Sequence, residues 1–132
     1  MDGAELELFS GDGRHIGVEM GLLSGWGKLD YAKVGGGELQ FRGRGMGGAG
    51  KMIVLRLQGA RVERLSPELK RWRDETGARG AERLERFAFF ASEGEGRVKK
   101  YIFKSSVVTT GPLNLLQAAL EKGIEAESPC KK

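Results

Sequence analysis

Apolar and polar residues alternate along several short stretches of this chain, and a period of two is typical of a β-strand with one buried face. The clearest example is a pair of stretches on either side of the glycine run at residues 35–37. Leu29 and Tyr31 alternate with polar or small neighbours before the run, and Leu39 and Phe41 do so after it. Two alternating stretches joined by glycines predict an antiparallel hairpin.

A second hairpin is predicted further along the chain. Residues 87–91 and 98–103 both have strand character, and a Glu-Gly-Glu-Gly turn separates them. The same alternation predicts shorter strands at residues 5–8, 16–20 and 51–57.

A helical insertion is predicted between the two hairpins. Ser66, Pro67 and Glu68 combine a capping hydroxyl, a proline at the first helical position and an acid in the first turn. These signals predict the start of a charged helical insertion at about residues 66–85.

The C-terminal part of the chain predicts one more helix, which begins near Thr110 and ends at Gly123. Its apolar stripe consists of Leu113, Leu116 and Leu120. Strands in hairpins followed by one helix predict a mainly β domain with α structure. We expect an antiparallel six- or seven-stranded barrel or sandwich that is capped by the C-terminal helix.

A single domain is expected at residues 15–124, between an acidic N-terminal segment at residues 1–14 and a disordered tail at residues 125–132. The 132 residues suffice for one domain. Glycine is unusually frequent, with 22 residues, and five of them fall within residues 43–50. So many glycines predict a mobile loop at that place.

Charge is distributed unevenly along the chain. Residues 1–41 carry seven acidic and three basic residues, whereas residues 42–104 carry sixteen basic and eight acidic ones. A basic middle segment suits an anionic partner, such as RNA, an acidic protein or an anionic membrane surface. A charged surface that only faces solvent is the alternative interpretation.

Several stretches also match the order of elements in a known family. They are Gly27-Lys28-Leu29-Asp30-Tyr31, Gly37-Glu38-Leu39-Gln40-Phe41, and residues 51–63, 87–90, 101–104 and 113–120. Together they resemble the pleckstrin-homology-like fold over roughly residues 15–124. The resemblance implies seven antiparallel strands in two nearly orthogonal sheets with a C-terminal helix as a cap. The family's closing helix usually carries a tryptophan, where this chain has leucines.

The resemblance also implies a binding site. Lipid-binding members of that family carry a basic residue at the end of the first strand and a basic-x-Arg triplet early in the second. Lys33 and Arg42-Gly43-Arg44 supply these residue types, although the triplet follows Phe41 here instead of preceding the strand's apolar residues. Lys33, Arg42, Arg44 and Lys51 flank the glycine-rich loop and are the expected contacts to phosphate or carboxylate groups.

No constellation of residues indicates catalysis. His15 is the only histidine and Cys130 the only cysteine, so neither a zinc site nor a nucleophile with a positioned base is indicated. Lys51 follows a glycine run, but Met52 stands where a phosphate-binding loop needs serine or threonine. We therefore expect no enzyme, no metal, no cofactor and no small-molecule substrate.

The function expected from the sequence is a non-catalytic interaction module. Its partner is expected to be a protein or an anionic, phosphoinositide-type membrane surface. A small nucleic-acid-binding β domain that uses Arg42 and Arg44 is one alternative, and a structural subunit of a larger assembly is another. A cytoplasmic location is expected, with peripheral membrane association and a nuclear location left open, because no apolar stretch reaches the length of a membrane span.

Overall fold

The structure is a computed structural model, which describes residues 5–9, 16–20, 26–44, 52–92, 97–106 and 110–127. This part of the chain forms eight strands and one helix. The elements in chain order are β1 (Leu6–Phe9), β2 (Ile16–Met20), β3 (Trp26–Gly35), β4 (Glu38–Arg44), β5 (Ile53–Arg56), β6 (Arg61–Arg73), β7 (Arg79–Ala91), β8 (Lys99–Ser106) and α1 (Thr110–Ala126).

The strands form one antiparallel sheet in the order β5-β4-β3-β2-β8-β7-β6, and β1 pairs with β3 outside this path. The predicted hairpins are present as β3–β4 and β7–β8. Gly36 and Gly37 form the first turn with φ values of 62° and 79°, which residues with a side chain seldom adopt. The prediction of a mainly antiparallel β domain with a C-terminal helix is therefore confirmed, with eight strands instead of six or seven.

The N-terminal segment is part of the sheet. β1 pairs with the second half of β3, and β2 pairs with its first half, so the two short strands follow the same edge of β3. β2 also pairs with β8 and thereby joins the two hairpins. β1 lies within residues 1–14, the segment expected to precede the domain.

The sheet curls strongly on itself. β4 and β8 are separated by β3 and β2, so a flat sheet would place them about 14 Å apart at the usual strand spacing. The rings of Phe41 on β4 and Phe103 on β8 nevertheless have centroids only 5.6 Å apart. The amide of Arg56 on β5 also donates a hydrogen bond to the carbonyl of Ser92, just after β7, over 3.3 Å. The sheet is thus folded around one core, with β5 and β6 as its two edges.

The core lies between the concave side of the sheet and α1. It contains the buried side chains of Val18, Val34, Leu39, Phe41, Leu55, Leu57, Phe87, Phe89, Phe103, Leu113, Leu116 and Leu120. The predicted apolar stripe of the helix is confirmed, because Leu113, Leu116 and Leu120 are all buried. The helix does not end at Gly123 but continues to Ala126, two residues beyond the expected domain end at residue 124.

The predicted helical insertion at about residues 66–85 is wrong. This region forms the long hairpin of β6 and β7, whose strands pair from Arg61 with Phe90 to Arg73 with Arg79. Pro67 lies where the register shifts between Leu65 and Glu68, so the ladder is already interrupted where proline lacks an N–H donor. The side chain of Arg86 donates a hydrogen bond to the carbonyl of Ser66 over 2.7 Å and stabilises this irregularity.

No helix in the described part of the chain is long and apolar enough to cross a membrane.

Candidate functional site

Two of the four predicted anion-binding residues lie on the outer face of the sheet. Lys33 is exposed on β3, opposite Glu7 of β1 and Gln40 of β4. Arg42 lies on β4 with its Nε 3.5 Å from an Asp30 carboxylate oxygen. Its guanidinium carbon is 5.7 Å from the centre of the ring on Tyr31, the residue opposite it.

Carboxylates surround these two cations. The Tyr31 hydroxyl donates a hydrogen bond to Glu7 over 2.7 Å. That hydrogen bond raises the pKa of Tyr31, with smaller contributions from burial and from the charge of Glu7, while Arg42 opposes the shift. The depression around Lys33 is also lined by Glu5 and Glu38. Negative charge on this face already balances the charge of Lys33 and Arg42, so the face offers little net attraction to an anion.

The side chains of the other two predicted residues, Arg44 and Lys51, lie outside the part of the structure that is described. Arg44 occupies the last position of β4, opposite Lys28, and its side chain lies outside the described structure. Lys51 and most of the glycine-rich loop lie outside the described residues as well.

A different cluster of cations lies on the outer half of the β6–β7 hairpin. Leu84 of β7 pairs with Ser106 of β8. From Leu84 towards Arg79, β7 has only β6 as a neighbour among the described strands. The cross-strand pairs in this half include Arg73 with Arg79, Arg71 with Ala81, and Leu69 with Arg83.

Strand alternation and register place four arginines on one side of this hairpin. Residues directly opposite each other share a face, and so do residues two apart on one strand. We call the side that carries Arg71, Arg73, Arg79 and Arg83 the arginine face; all four are exposed. On β7 the same alternation leads to the buried Phe87 and Phe89, so this face continues the concave side of the sheet past the end of the core.

The opposite side of the hairpin has a different charge. Its cross-strand pairs include Lys70 with Glu82 and Glu68 with Leu84, which supply two carboxylates and one ammonium group. The hairpin therefore segregates its charges, with cations on one side and an acidic to neutral surface on the other.

The arginine face is electrostatically unfavourable by itself. Arg73 and Arg79 are directly opposite each other, and like charges in that arrangement repel. Arg83 is balanced by Glu85, whose carboxylate lies 3.3 Å from its Nε. Among the residues that the structure describes, no carboxylate forms a salt bridge with Arg71, Arg73 or Arg79. Three guanidinium groups thus share an open depression that is lined also by Gly80 and Ala81.

The turn of the hairpin is well ordered by its own hydrogen bonds. The Asp74 carboxylate accepts from the backbone N–H of Thr76 at 2.9 Å, from its hydroxyl at 2.7 Å and from the N–H of Ala78 at 3.0 Å. The hydrogen bond from the Thr76 hydroxyl is the main reason why the pKa of Asp74 lies below its usual value. Gly77 has a φ of 90°, which closes the turn. All three hydrogen bonds go to Oδ1 of Asp74 and tie this carboxylate to the backbone of the turn.

A buried lysine anchors the base of the hairpin. Lys104 on β8 has a side chain only 8% exposed, and its Nζ lies 2.7 Å from a carboxylate oxygen of Glu19 and 3.1 Å from one of Glu68. Burial by itself lowers the pKa of Lys104, but the hydrogen bonds and charges of the two glutamates outweigh it, so the pKa lies above its usual value. Glu68 adjoins the register shift at which the two-stranded half of the hairpin begins.

No family model, curated protein or solved structure matches this chain. The site is therefore defined by the chain's own geometry. Within the described ranges, no group of three or more histidine, cysteine, aspartate or glutamate residues is arranged to hold a metal ion.

Sequence reasoning missed the arginine face because it assigned the region to a helix. A signal was present: the arginines on each side of the turn are separated by an even number of positions, two between Arg71 and Arg73 and four between Arg79 and Arg83. Such spacing on two strands joined by a turn places the side chains together, whereas on a helix it would scatter them.

Proposed function

We propose that this protein is a non-catalytic interaction module that binds a polyanion through the arginine face. The observation that carries the proposal is the direct opposition of Arg73 and Arg79, with Arg71 in the adjacent row. A fold that keeps like charges opposite each other at an exposed position gives up stability there. Such departures from local rules are typical of functional sites.

The chemistry of the four side chains supports a ligand that carries several oxyanion groups. A guanidinium group presents a planar set of N–H donors that matches phosphate or carboxylate with two parallel hydrogen bonds. An anion placed between Arg73 and Arg79 would replace their repulsion with two attractions. The ligand would be polyanionic, because the face also holds Arg71 and Arg83 along the same strip.

Heparin binding measured by fluorescence anisotropy tests the proposal. The double variant Arg73→Gln/Arg79→Gln is expected to weaken binding at least tenfold, while its thermal stability stays equal or rises because the repulsion is removed. The matched control is Arg56→Gln/Arg97→Gln, which removes the same net charge from two exposed positions elsewhere. An equal loss of affinity in both variants would show that only net charge matters and would overturn the proposal.

We also propose, as a second candidate, a pleckstrin-homology-like module that binds an anionic membrane through Lys33, Arg42, Arg44 and Lys51. The curled antiparallel sheet with its C-terminal helix supports this fold, because β1 and β2 together occupy one strand position and leave seven positions in all. The carboxylates around Lys33 and Arg42 make the second candidate weaker. Phosphoinositide-containing vesicles that sediment with the wild type but not with Lys33→Gln/Arg42→Gln would support it over the arginine face.

A further inference from the structure

We infer that the polyanion is B-form duplex DNA and that the arginine face of the β6–β7 hairpin contacts its phosphates. The inference rests on the proposed function and adds the class of ligand. Its basis is the shape of the arginine face, the kind of side chains on it and the charge of the turn beside it.

The arginines form a strip with two columns. Arg71 and Arg73 stand on β6, and Arg79 and Arg83 stand on β7. Arg79 and Arg83 are four positions apart on β7, so the strip is about 13–14 Å long. Duplex DNA carries one phosphate charge per about 1.7 Å of axis, so a length of duplex equal to the strip carries about eight charges on its two strands.

The hairpin has the dimensions of a groove ligand. The major groove of B-form DNA, about 12 Å wide, admits a two-stranded β-ribbon, whereas the deep and narrow major groove of an RNA duplex does not. Past Leu84 the hairpin is two-stranded among the described residues, so no neighbouring strand obstructs its sides there.

The side chains on the strip favour backbone contacts. The six positions of the arginine face hold four arginines, Leu69 and Ala81, with no aromatic residue for stacking on unpaired bases. Such a surface suits the phosphates of a duplex rather than the bases of a single strand, and because phosphate contacts carry no sequence information, we expect binding without sequence preference.

The turn argues against a membrane as the partner. Asp74 and Glu75 lie at the tip of the hairpin, where they would be repelled by an anionic bilayer. Leu69, which is 57% exposed, is the one large apolar residue on the strip and gives little area for insertion. A contact along the side of the hairpin avoids the acidic tip, and a rod-shaped duplex permits such a contact.

Titration of the full chain with labelled oligonucleotides tests the inference. We expect a 20-base-pair DNA duplex to bind at low salt, two unrelated sequences to bind within threefold of each other, and the matching single strand and RNA duplex to bind at least fivefold more weakly. Because each phosphate contact contributes about −0.9 to the slope of log affinity against log salt, Arg73→Gln/Arg79→Gln is expected to reduce that slope by about two. Arg56→Gln/Arg97→Gln is expected to leave it unchanged.

The outcomes separate the inference from the proposed function. If heparin binding depends on Arg73 and Arg79 but the duplex binds no better than the single strand, the RNA duplex or vesicles of anionic lipid, the polyanion proposal stands and the inference of duplex DNA is wrong. If neither heparin nor the duplex distinguishes the arginine variant from its control, both are wrong.

Discussion

Lys104 on β8 donates a hydrogen bond to Glu68 on β6 over 3.1 Å, across the intervening strand β7. The same ammonium group donates to Glu19 on β2, its neighbour on the other side. One buried cation therefore connects the outer faces of three strands that converge at the base of the long hairpin. This connection holds the first residues of the two-stranded half against the rest of the sheet.

Replacing Lys104 with methionine is expected to destabilise the protein. The substitution keeps the apolar stem but leaves Glu19 and Glu68 without their common partner. Because the two carboxylates are 35% and 42% exposed and water can solvate them, we expect a loss of about 1–3 kcal/mol, less than for a fully buried pair. Urea unfolding measures the loss.

The conservative variant Lys104→Arg serves as the control. It keeps the charge and is expected to retain more than half of the unfolding free energy that Lys104→Met loses. Hydrogen exchange should also rise in Lys104→Met at residues 68–73 more than at the buried residues of β8. A variant as stable as the wild type, with unchanged exchange, would show that the connection is dispensable.

Alkaline pH is expected to weaken the same contact. Because the folded-state pKa of Lys104 lies above the ordinary value of 10.5, its contribution to stability is fully present below pH 10.5 and is lost as the pH rises through the raised value. The stability difference between wild type and Lys104→Met should therefore be constant from neutral pH up to that value and shrink above it. Urea unfolding of both proteins across this range tests the prediction, and a difference that grew with pH would contradict it.

Gly123 is expected to resist substitution although it lies inside a helix. An added Cβ would lie 2.5 Å from Leu57 Cδ1, and Leu57 is buried and cannot swing into solvent. Overpacking costs about 1–3 kcal/mol, which exceeds the gain of about 1 kcal/mol from replacing a helical glycine with alanine. Gly123→Ala should therefore lower the free energy of unfolding, by about 1 kcal/mol.

Gly111 provides the matched control for that substitution. It lies in the same helix, and nothing stands within 4 Å of the position that its Cβ would take. Gly111→Ala should be neutral or slightly stabilising in the same urea experiment. Equal effects of the two substitutions would show that the contact with Leu57 does not limit how closely the helix packs.

Local signals in the sequence determined much of the fold. Leu39 and Phe41 alternate on one strand and glycines form the turn before it, so the β3–β4 hairpin could be predicted from a few neighbouring residues. The helix could be predicted equally well from the spacing of Leu113, Leu116 and Leu120. Both predictions rest on interactions between residues close together in the chain.

Local signals failed where partners are distant. Ser66, Pro67 and Glu68 resemble a helix start, but the long pairing of β6 with β7 outweighs that preference, and Pro67 is accommodated at the register shift. The surroundings of Lys33 and Arg42 were also not predictable, since Glu7 reaches that face only through the pairing of β1 with β3.

The sequence by itself determined which segments alternate, where the turns lie and that the middle of the chain is basic. Only the tertiary structure decided which cations share a face, because cross-strand register sets that arrangement and register depends on how the whole sheet pairs. Arg73 and Arg79 are six residues apart in the chain, yet their repulsion exists only because the turn and the pairing of β6 with β7 place them opposite each other.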